Sequence, residues 1–243
     1  MKIQQLVQDK VDRVKPGRLI TYKSFSQAYA EYPEAVAKAL ERLVKKGALV
    51  RQKQGVFYKP EQGRFGTMRV KESEILKQFM YEDGRLIGYP SGPEAFRYLG
   101  LSTQVSNTIT IATAKVRRKA NFNNLSVRFI QSKVKTIQKK DIQKLQLLDA
   151  LRFIKRAQDI STDEAVKKIA TLLKEYSTQE QEDLVRLAKK YTPQTKALLG
   201  AILQSQGRED LALSLKGALN PLTSYKLGLS SDVLPNKKQW FIQ

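Results

Sequence analysis

AVAKALERLVKKGALVRQKQGVFYKP, residues 35–60, changes its hydrophobic period halfway along. Val36, Leu40, Leu43 and Val44 recur at helical spacing, so the first half reads as an amphipathic helix with one apolar face. Pro33 suits the first turn of that helix, and Gly47 suits its end. Beyond the glycine, ALVR and VFYK read as two short strands, with Gly55 supplying a residue that tolerates positive φ in the turn. A helix rich in lysine and arginine thus runs directly into a hairpin with a basic tip.

Upstream, Ile3, Leu6, Val7, Val11 and Val14 predict a first helix over residues 2–14, broken by KPGRLI. Thr21 reads as the cap of a short second helix through Phe25 and Ala28. Three short helices followed by a two-stranded hairpin is the order of a winged helix-turn-helix, in which the third helix enters the major groove and the hairpin tip approaches the phosphates. The polar face of the third helix carries Glu34, Lys38, Glu41, Arg42 and Lys45. The start of the second helix offers Tyr22, Lys23 and Ser24, and the hairpin offers Arg51, Lys53 and Gln54. Lys38 and Arg42 are the candidate base contacts, and the hairpin residues the candidate phosphate contacts. Glu34 and Glu41 oppose phosphate unless they pair with Lys38 and Lys45 at i,i+4 spacing, which is the reading we favour. The competing reading is a solvated helix face on a protein-docking module.

Composition points the same way. The chain has 243 residues, 44 Lys+Arg against 23 Asp+Glu, and a formal charge of +21. Such a balance attracts polyanions. Residues 1–66 carry 14 basic and 6 acidic side chains, residues 67–140 carry 14 and 5, and residues 141–243 carry 16 and 12. Histidine and cysteine are both absent, which removes imidazole acid–base chemistry, thiol chemistry, and zinc held by those ligands. Asp141, Asp149, Asp159 and Asp163 are spread over helical ground, and no glycine-rich lysine loop is present to cradle phosphate. We therefore expect no catalytic residue, metal or cofactor; a basic nucleic-acid-processing enzyme is the least favoured alternative. The amino-terminal stretch is too polar for a secretory signal and no apolar run spans a bilayer. The expectation is a cytoplasmic protein without a membrane partner.

Residues 61–66, EQGRFG, read as a linker, which puts the domains at 1–66 and 67–243, the latter mixed α/β over 67–140 and mainly helical over 141–243. RLIGY reads as a strand. SGPEAFRYLG reads as a helix with Ser91 and Glu94 at capping-box spacing. NTITIATAKV and LSVRFIQ read as strands joined by the turn NFNN. Lys115, Arg117, Arg118 and Lys119 make a second basic surface at the end of that hairpin, followed by lysines 133, 135, 139 and 140; it either extends a DNA footprint, meets an acidic protein, or discourages edge pairing. Ser161–Glu164, Ser177–Glu180 and Thr192–Pro193 predict three helix starts. Trp240 and Phe241 are expected to anchor an irregular tail. The fold class is α+β: a winged helix, then a mixed domain ending in a helical bundle.

The chain resembles the AbiEi-like antitoxins of bacterial type IV toxin–antitoxin and abortive-infection systems. The resemblance covers nearly the whole chain. It rests on ALERLVKKGALVRQKQGVFYKP, IGYPSGPEAFRYLGLSTQVSNTITIAT, LLDALRFI, TPQTKALLGAIL and NPLTSYKLG. It implies an amino-terminal winged helix that binds the operator of its own operon as double-stranded DNA, and a carboxy-terminal antitoxin domain. The implied partner is an AbiEii-like nucleotidyltransferase toxin. Two copies on an inverted repeat are the expected DNA-bound form. Within the Gly88–Val105 motif, Gly88, Gly92 and Gly100 are assigned to turns and caps, and Phe96, Leu99 and Leu101 to the core.

Overall fold

A computed structural model of the chain describes residues 3–243, apart from residues 65, 69, 105, 116, 123, 124 and 158. Lys2, Phe65, Val105, Val116 and the second half of the NFNN turn, all used in the reading above, lie outside the described residues. The protein is α+β with a helical carboxy-terminal region, and its chain divides into two compact units. The first holds residues 1–82 with 122–124, and the second holds the rest.

In the first unit, helix α1 (Ile3–Arg13) leads into strand β1 (Leu19–Thr21), a 3-10 turn (Tyr22–Phe25), α2 (Ser26–Glu31) and α3 (Pro33–Lys45). Strands β2 (Val50–Lys53) and β3 (Val56–Tyr58) follow, and the three strands form a sheet in the order β1-β3-β2. Both pairings are antiparallel, with Ile20 opposite Phe57 and Val50 opposite Tyr58. Helix α3 starts on Pro33 and ends in a Schellman motif: Ala48 N–H donates to the Leu43 carbonyl and Gly47 N–H to that of Val44, with Gly47 at φ +74°. Its apolar stripe, Val36, Leu40 and Leu43, is buried with Val7 and Val11 of α1 and with Phe25 and Phe57.

The expected linker is instead a hairpin, β4 (Glu61–Gly63) paired with β5 (Gly66–Met68), in which Gly66 takes φ +105°. Helix α4 (Glu72–Met80) follows, and the expected boundary at residue 66 therefore falls inside this unit. Arg18 ties α4 to the loop before β1 through Glu74 at 2.8 Å, and Lys77 reaches the same carboxylate at 2.6 Å. Burial works against that carboxylate, but the hydrogen bonds from Lys77 and Arg18 hold its pKa below the ordinary value.

Strands β6 (Tyr81–Glu82), β7 (Arg85–Leu86) and β8 (Gly88–Ser91) come next, then α5 (Pro93–Tyr98), β9 (Thr108–Thr113), β10 (Ala120–Phe122) and β11 (Leu125–Gln131). A four-stranded sheet has the order β10-β11-β9-β8. Its central pair, β9 with β11, is parallel, with Val127 opposite Ile109 and Phe129 opposite Ile111. The expected hairpin of these two strands is thus corrected. Strand β10 lies between them in sequence and on the far side of β11 in the sheet. Alternation of apolar residues reads the same for either pairing sense, so the period alone does not choose.

The bundle comprises α6 (Ile142–Arg152), α7 (Thr162–Lys174), α8 (Thr178–Ala188), α9 (Pro193–Ser205) and α10 (Glu209–Lys216). Ser161 and Ser177 close capping boxes with Glu164 and Glu180, and Thr192 caps α9 ahead of Pro193. Ser177→Ala is expected to cost about 1 kcal/mol, read as a lower urea midpoint with an unchanged slope. Helix α6 is buried all round rather than on one stripe, with Leu145, Leu147, Leu148 and Leu151 inaccessible to solvent. Trp240 docks the tail as expected, and Tyr225 and Ile242 form an isolated parallel bridge that closes it.

Candidate nucleic-acid interface

Helical geometry places Lys38, Arg42 and Lys45 on one face of α3 at i, i+4 and i+7, opposite the buried Val36–Leu40–Leu43 stripe. All three are exposed. Lys38 lies 3.8 Å from Glu34, the helix-support pairing the spacing predicts. Such an exposed pair is worth only about 0.3–0.5 kcal/mol, so a stronger anion displaces it. Arg42 reaches back across the unit and donates to Gln4 Oε1 of α1 at 2.7 Å. That bond orients the guanidinium and leaves it at the surface.

The start of the second helix is brought against the hairpin turn. A Cβ on Gly55 would stand 2.9 Å from the Tyr22 ring, so only glycine admits this approach, and its φ of +72° needs glycine as well. Tyr22 is stacked on Tyr29 with centroids 4.5 Å apart and meets Phe57 edge-on at 6.1 Å. Lys23 is exposed beside it and Gln54 is exposed in the turn. Tyr22 thus packs on the turn, with Lys23 and Gln54 next in sequence to the two residues in contact.

Two of the expected contacts have partners within the unit. Ser24 Oγ accepts from Thr21 N–H at 3.1 Å, so its hydroxyl serves the local turn. The expected helix start here is a 3-10 turn followed by a six-residue helix, too short to gather an anion by its dipole. Lys53 is drawn onto the Phe122 ring, its Nζ 3.9 Å from the centroid, and Phe79 meets the same ring edge-on. Desolvation there lowers the Lys53 pKa, while the residue stays exposed beside the hairpin turn. Arg51 leans over Phe57 at 5.9 Å, a looser contact that leaves its charge exposed.

The expected capping box at Ser91 and Glu94 is not formed. Helix α5 is capped by Gly92 at φ +65°, with no side-chain bond. Ser91 Oγ donates to Asp149 Oδ2 at 2.6 Å, and Glu94 Oε2 accepts from Thr110 N–H at 2.9 Å. Both side chains stitch the sheet to its surroundings, because β8 is buried on both faces. Gly100 turns the chain at φ +67°, whereas Gly88 makes room for Thr113, whose Cγ2 would be 2.8 Å from an added Cβ. Gly88 is thus a close-approach glycine in a strand rather than a turn residue. Phe96 and Leu101 are in the core, with Leu99 packed against it.

Residues 6–184 match the model of a family described as a family of unknown function, DUF6088. The chain belongs to DUF6088. No curated protein matches this DUF6088 chain. Among solved structures, the crystal structure of RV2827C protein from Mycobacterium tuberculosis is similar to it over 91% of this chain and 83% of that one. The identity is 15% and the TM-score 0.46.

In the second unit of the DUF6088 protein, Lys115, Arg118 and Lys119 are exposed and Arg117 is half-buried. They occupy the connection from β9 to β10, so this cluster lies on a crossover rather than at the tip of a β9–β11 hairpin. Thr113 Oγ1 donates to the Lys115 carbonyl at 2.7 Å, and Gln131 Nε2 to that of Ala114 at 2.8 Å, which fixes the start of the crossover. No helix among the described residues is long and apolar enough to cross a membrane.

Proposed function

We propose that this DUF6088 protein is a DNA-binding autorepressor whose first unit is a winged helix-turn-helix, and that it acts as the antitoxin of a nucleotidyltransferase toxin. The observation that carries the DNA half is the outer face of α3, where Lys38, Arg42 and Lys45 project together, opposite the core. The helix–strand–helix–helix–hairpin order and the β1-β3-β2 sheet support it. In this reading α3 enters the major groove, Arg42 exchanges Gln4 for the edge of a guanine, and Lys38 and Lys45 flank it. Arg51, Lys23 and Gln54 hold phosphates on either side. The antitoxin half rests on the family resemblance of the motifs quoted above.

The test is a mobility shift on the DNA upstream of the protein's own gene. Binding is expected to fall steeply with salt, in proportion to the phosphates neutralised. Arg42→Ala should weaken specific binding by about 1–3 kcal/mol, whereas Lys45→Ala should weaken binding to all sequences evenly and reduce the salt slope by about 1. A footprint covering an inverted repeat supports two copies, and a single protected half-site rules them out. Absence of any shift at low salt would leave the protein-docking reading, which the internal Arg42–Gln4 and Lys38–Glu34 pairings favour. For the antitoxin half, co-expression with the product of the neighbouring gene should relieve its growth inhibition; unchanged inhibition removes that half and leaves the DNA result standing.

A further inference from the structure

The first turn of α3 differs in character from the rest of its outer face. Helical spacing puts Ala35 on the same stripe as Lys38, Arg42 and Lys45, and Ala35 is exposed as they are. Ahead of it stands Tyr32, whose backbone is fixed at the helix start. Its N–H donates to the Ala28 carbonyl at 2.9 Å, and its carbonyl accepts from Val36 N–H at 3.1 Å. The Tyr32 ring is 52% exposed, whereas Tyr22 and Tyr29 stack on each other.

A single exposed ring is ordinary on a protein surface; its position gives this one meaning. In helix-turn-helix docking, the amino-terminal residues of the groove-bound helix meet base edges. The charges here narrow what that end of α3 can meet. Residues 31–35, Glu-Tyr-Pro-Glu-Ala, hold two carboxylates and no cation. A turn of that composition repels the phosphate backbone, which is left to the lysines and arginines farther along. The floor of the major groove offers it one apolar group, the 5-methyl of thymine.

Resting on the DNA-binding reading above, we propose that Tyr32 and Ala35 form an apolar contact for the 5-methyl group of a thymine, about three base pairs from the guanine met by Arg42. The Ala35 methyl meets the thymine methyl, and the Tyr32 ring excludes water from the pair. The offset follows from the helix. Ala35 and Arg42 are seven residues apart. At about 1.5 Å per residue that is about 10 Å along the axis, and base pairs stack about 3.4 Å apart. The contact tells thymine from cytosine and adds nothing to the attraction of the backbone.

The test is a mobility shift on the footprinted half-site upstream of the protein's own gene, with each thymine replaced in turn by deoxyuridine, which lacks only the methyl group. One replacement, about three base pairs from the guanine on which the effect of Arg42→Ala depends, is expected to weaken parent binding by about fourfold, the effect of one buried methyl group. Tyr32→Ala combined with Ala35→Ser should weaken binding to unmodified DNA by about tenfold and no longer respond to that replacement. Its salt slope should equal the parent's, because no phosphate contact is lost. Tyr32→Phe keeps the ring and should bind as the parent does. Tyr32 makes no side-chain cap bond to α3, so these variants keep the helix start. The contact is overturned if no thymine responds, or if the double variant keeps the parent's affinity or its response to deoxyuridine. It is overturned equally if the salt slope falls, or if Tyr32→Phe binds as weakly as the double variant, since the hydroxyl is then holding a phosphate. Those outcomes leave the DNA-binding reading standing; a parent that shifts no upstream DNA at low salt removes both.

Discussion

Replacing Trp240 by alanine is expected to lower the stability of the protein by about 3–5 kcal/mol, the range for deleting a buried large aromatic. In a chain of this size that corresponds to a fall in Tm of roughly 6–20 °C. Trp240 is wholly buried, and its Nε1–H donates to Gln204 Oε1 at 2.7 Å. The ring lies on Gly200 of α9 so closely that an added Cβ would stand 2.2 Å from Cζ3 and Cη2. Gly200→Ala should therefore displace the indole and cost a large part of what Trp240→Ala costs. In the Trp240→Ala background the same methyl enters vacated space, and the helical preference of alanine over glycine, up to about 1 kcal/mol, offsets or reverses the cost. The two substitutions are expected to be strongly non-additive in a thermal-unfolding cycle. Simple additivity would show that the ring and the glycine do not share one space.

The second large effect is expected at Asp149. Its carboxylate is 1% exposed and accepts from Ser91 Oγ at 2.6 Å and Tyr89 OH at 2.8 Å, with Tyr191 OH 3.4 Å from Tyr89 OH. Asp149→Ala leaves two buried hydroxyls without their acceptor, at a cost of about 3–5 kcal/mol for the pair. Asp149→Asn keeps an acceptor oxygen and should cost much less. Burial raises the Asp149 pKa above its ordinary value, against the opposing pull of the Ser91 and Tyr89 hydrogen bonds. Below the ordinary aspartate value both folded and unfolded chains hold the proton. As pH rises above that value the unfolded chain loses the proton first, so the folded state binds more protons and this group's contribution to stability falls until pH passes the raised pKa. Urea midpoints measured across that window should slope downward for the parent and flatten for Asp149→Asn. An identical slope in both would show that another group is responsible.

Much of the helical architecture is legible in the residues. The stripe and the terminating Gly47 predict α3, and the Ser161, Ser177 and Thr192 caps predict three helix starts, because each signal acts within one turn of chain. The outer face of α3 is equally legible, since a helix places positions 38, 42 and 45 together whatever surrounds it. Strand β1 escapes notice because three residues carry too little period. Hairpin β4–β5 escapes because it is exposed on both faces and has no alternation to show. The contact of Lys53 with Phe122 is not legible, because the two are 69 positions apart. Ser91 and Glu94 have capping-box spacing, yet the acceptor that wins Ser91 is Asp149, 58 positions along.

What the amino-acid order determined by itself is local: which segments coil, where they stop, the excess of positive charge, and the face on which α3 carries it. Pairing sense in the β9–β11 sheet, the partners of Ser91 and Lys53, and the approach of Trp240 to Gly200 were decided only by the tertiary structure. Helix and cap signals depend on neighbours within about four residues, whereas these features depend on groups brought together across tens of residues, and no periodicity records that meeting.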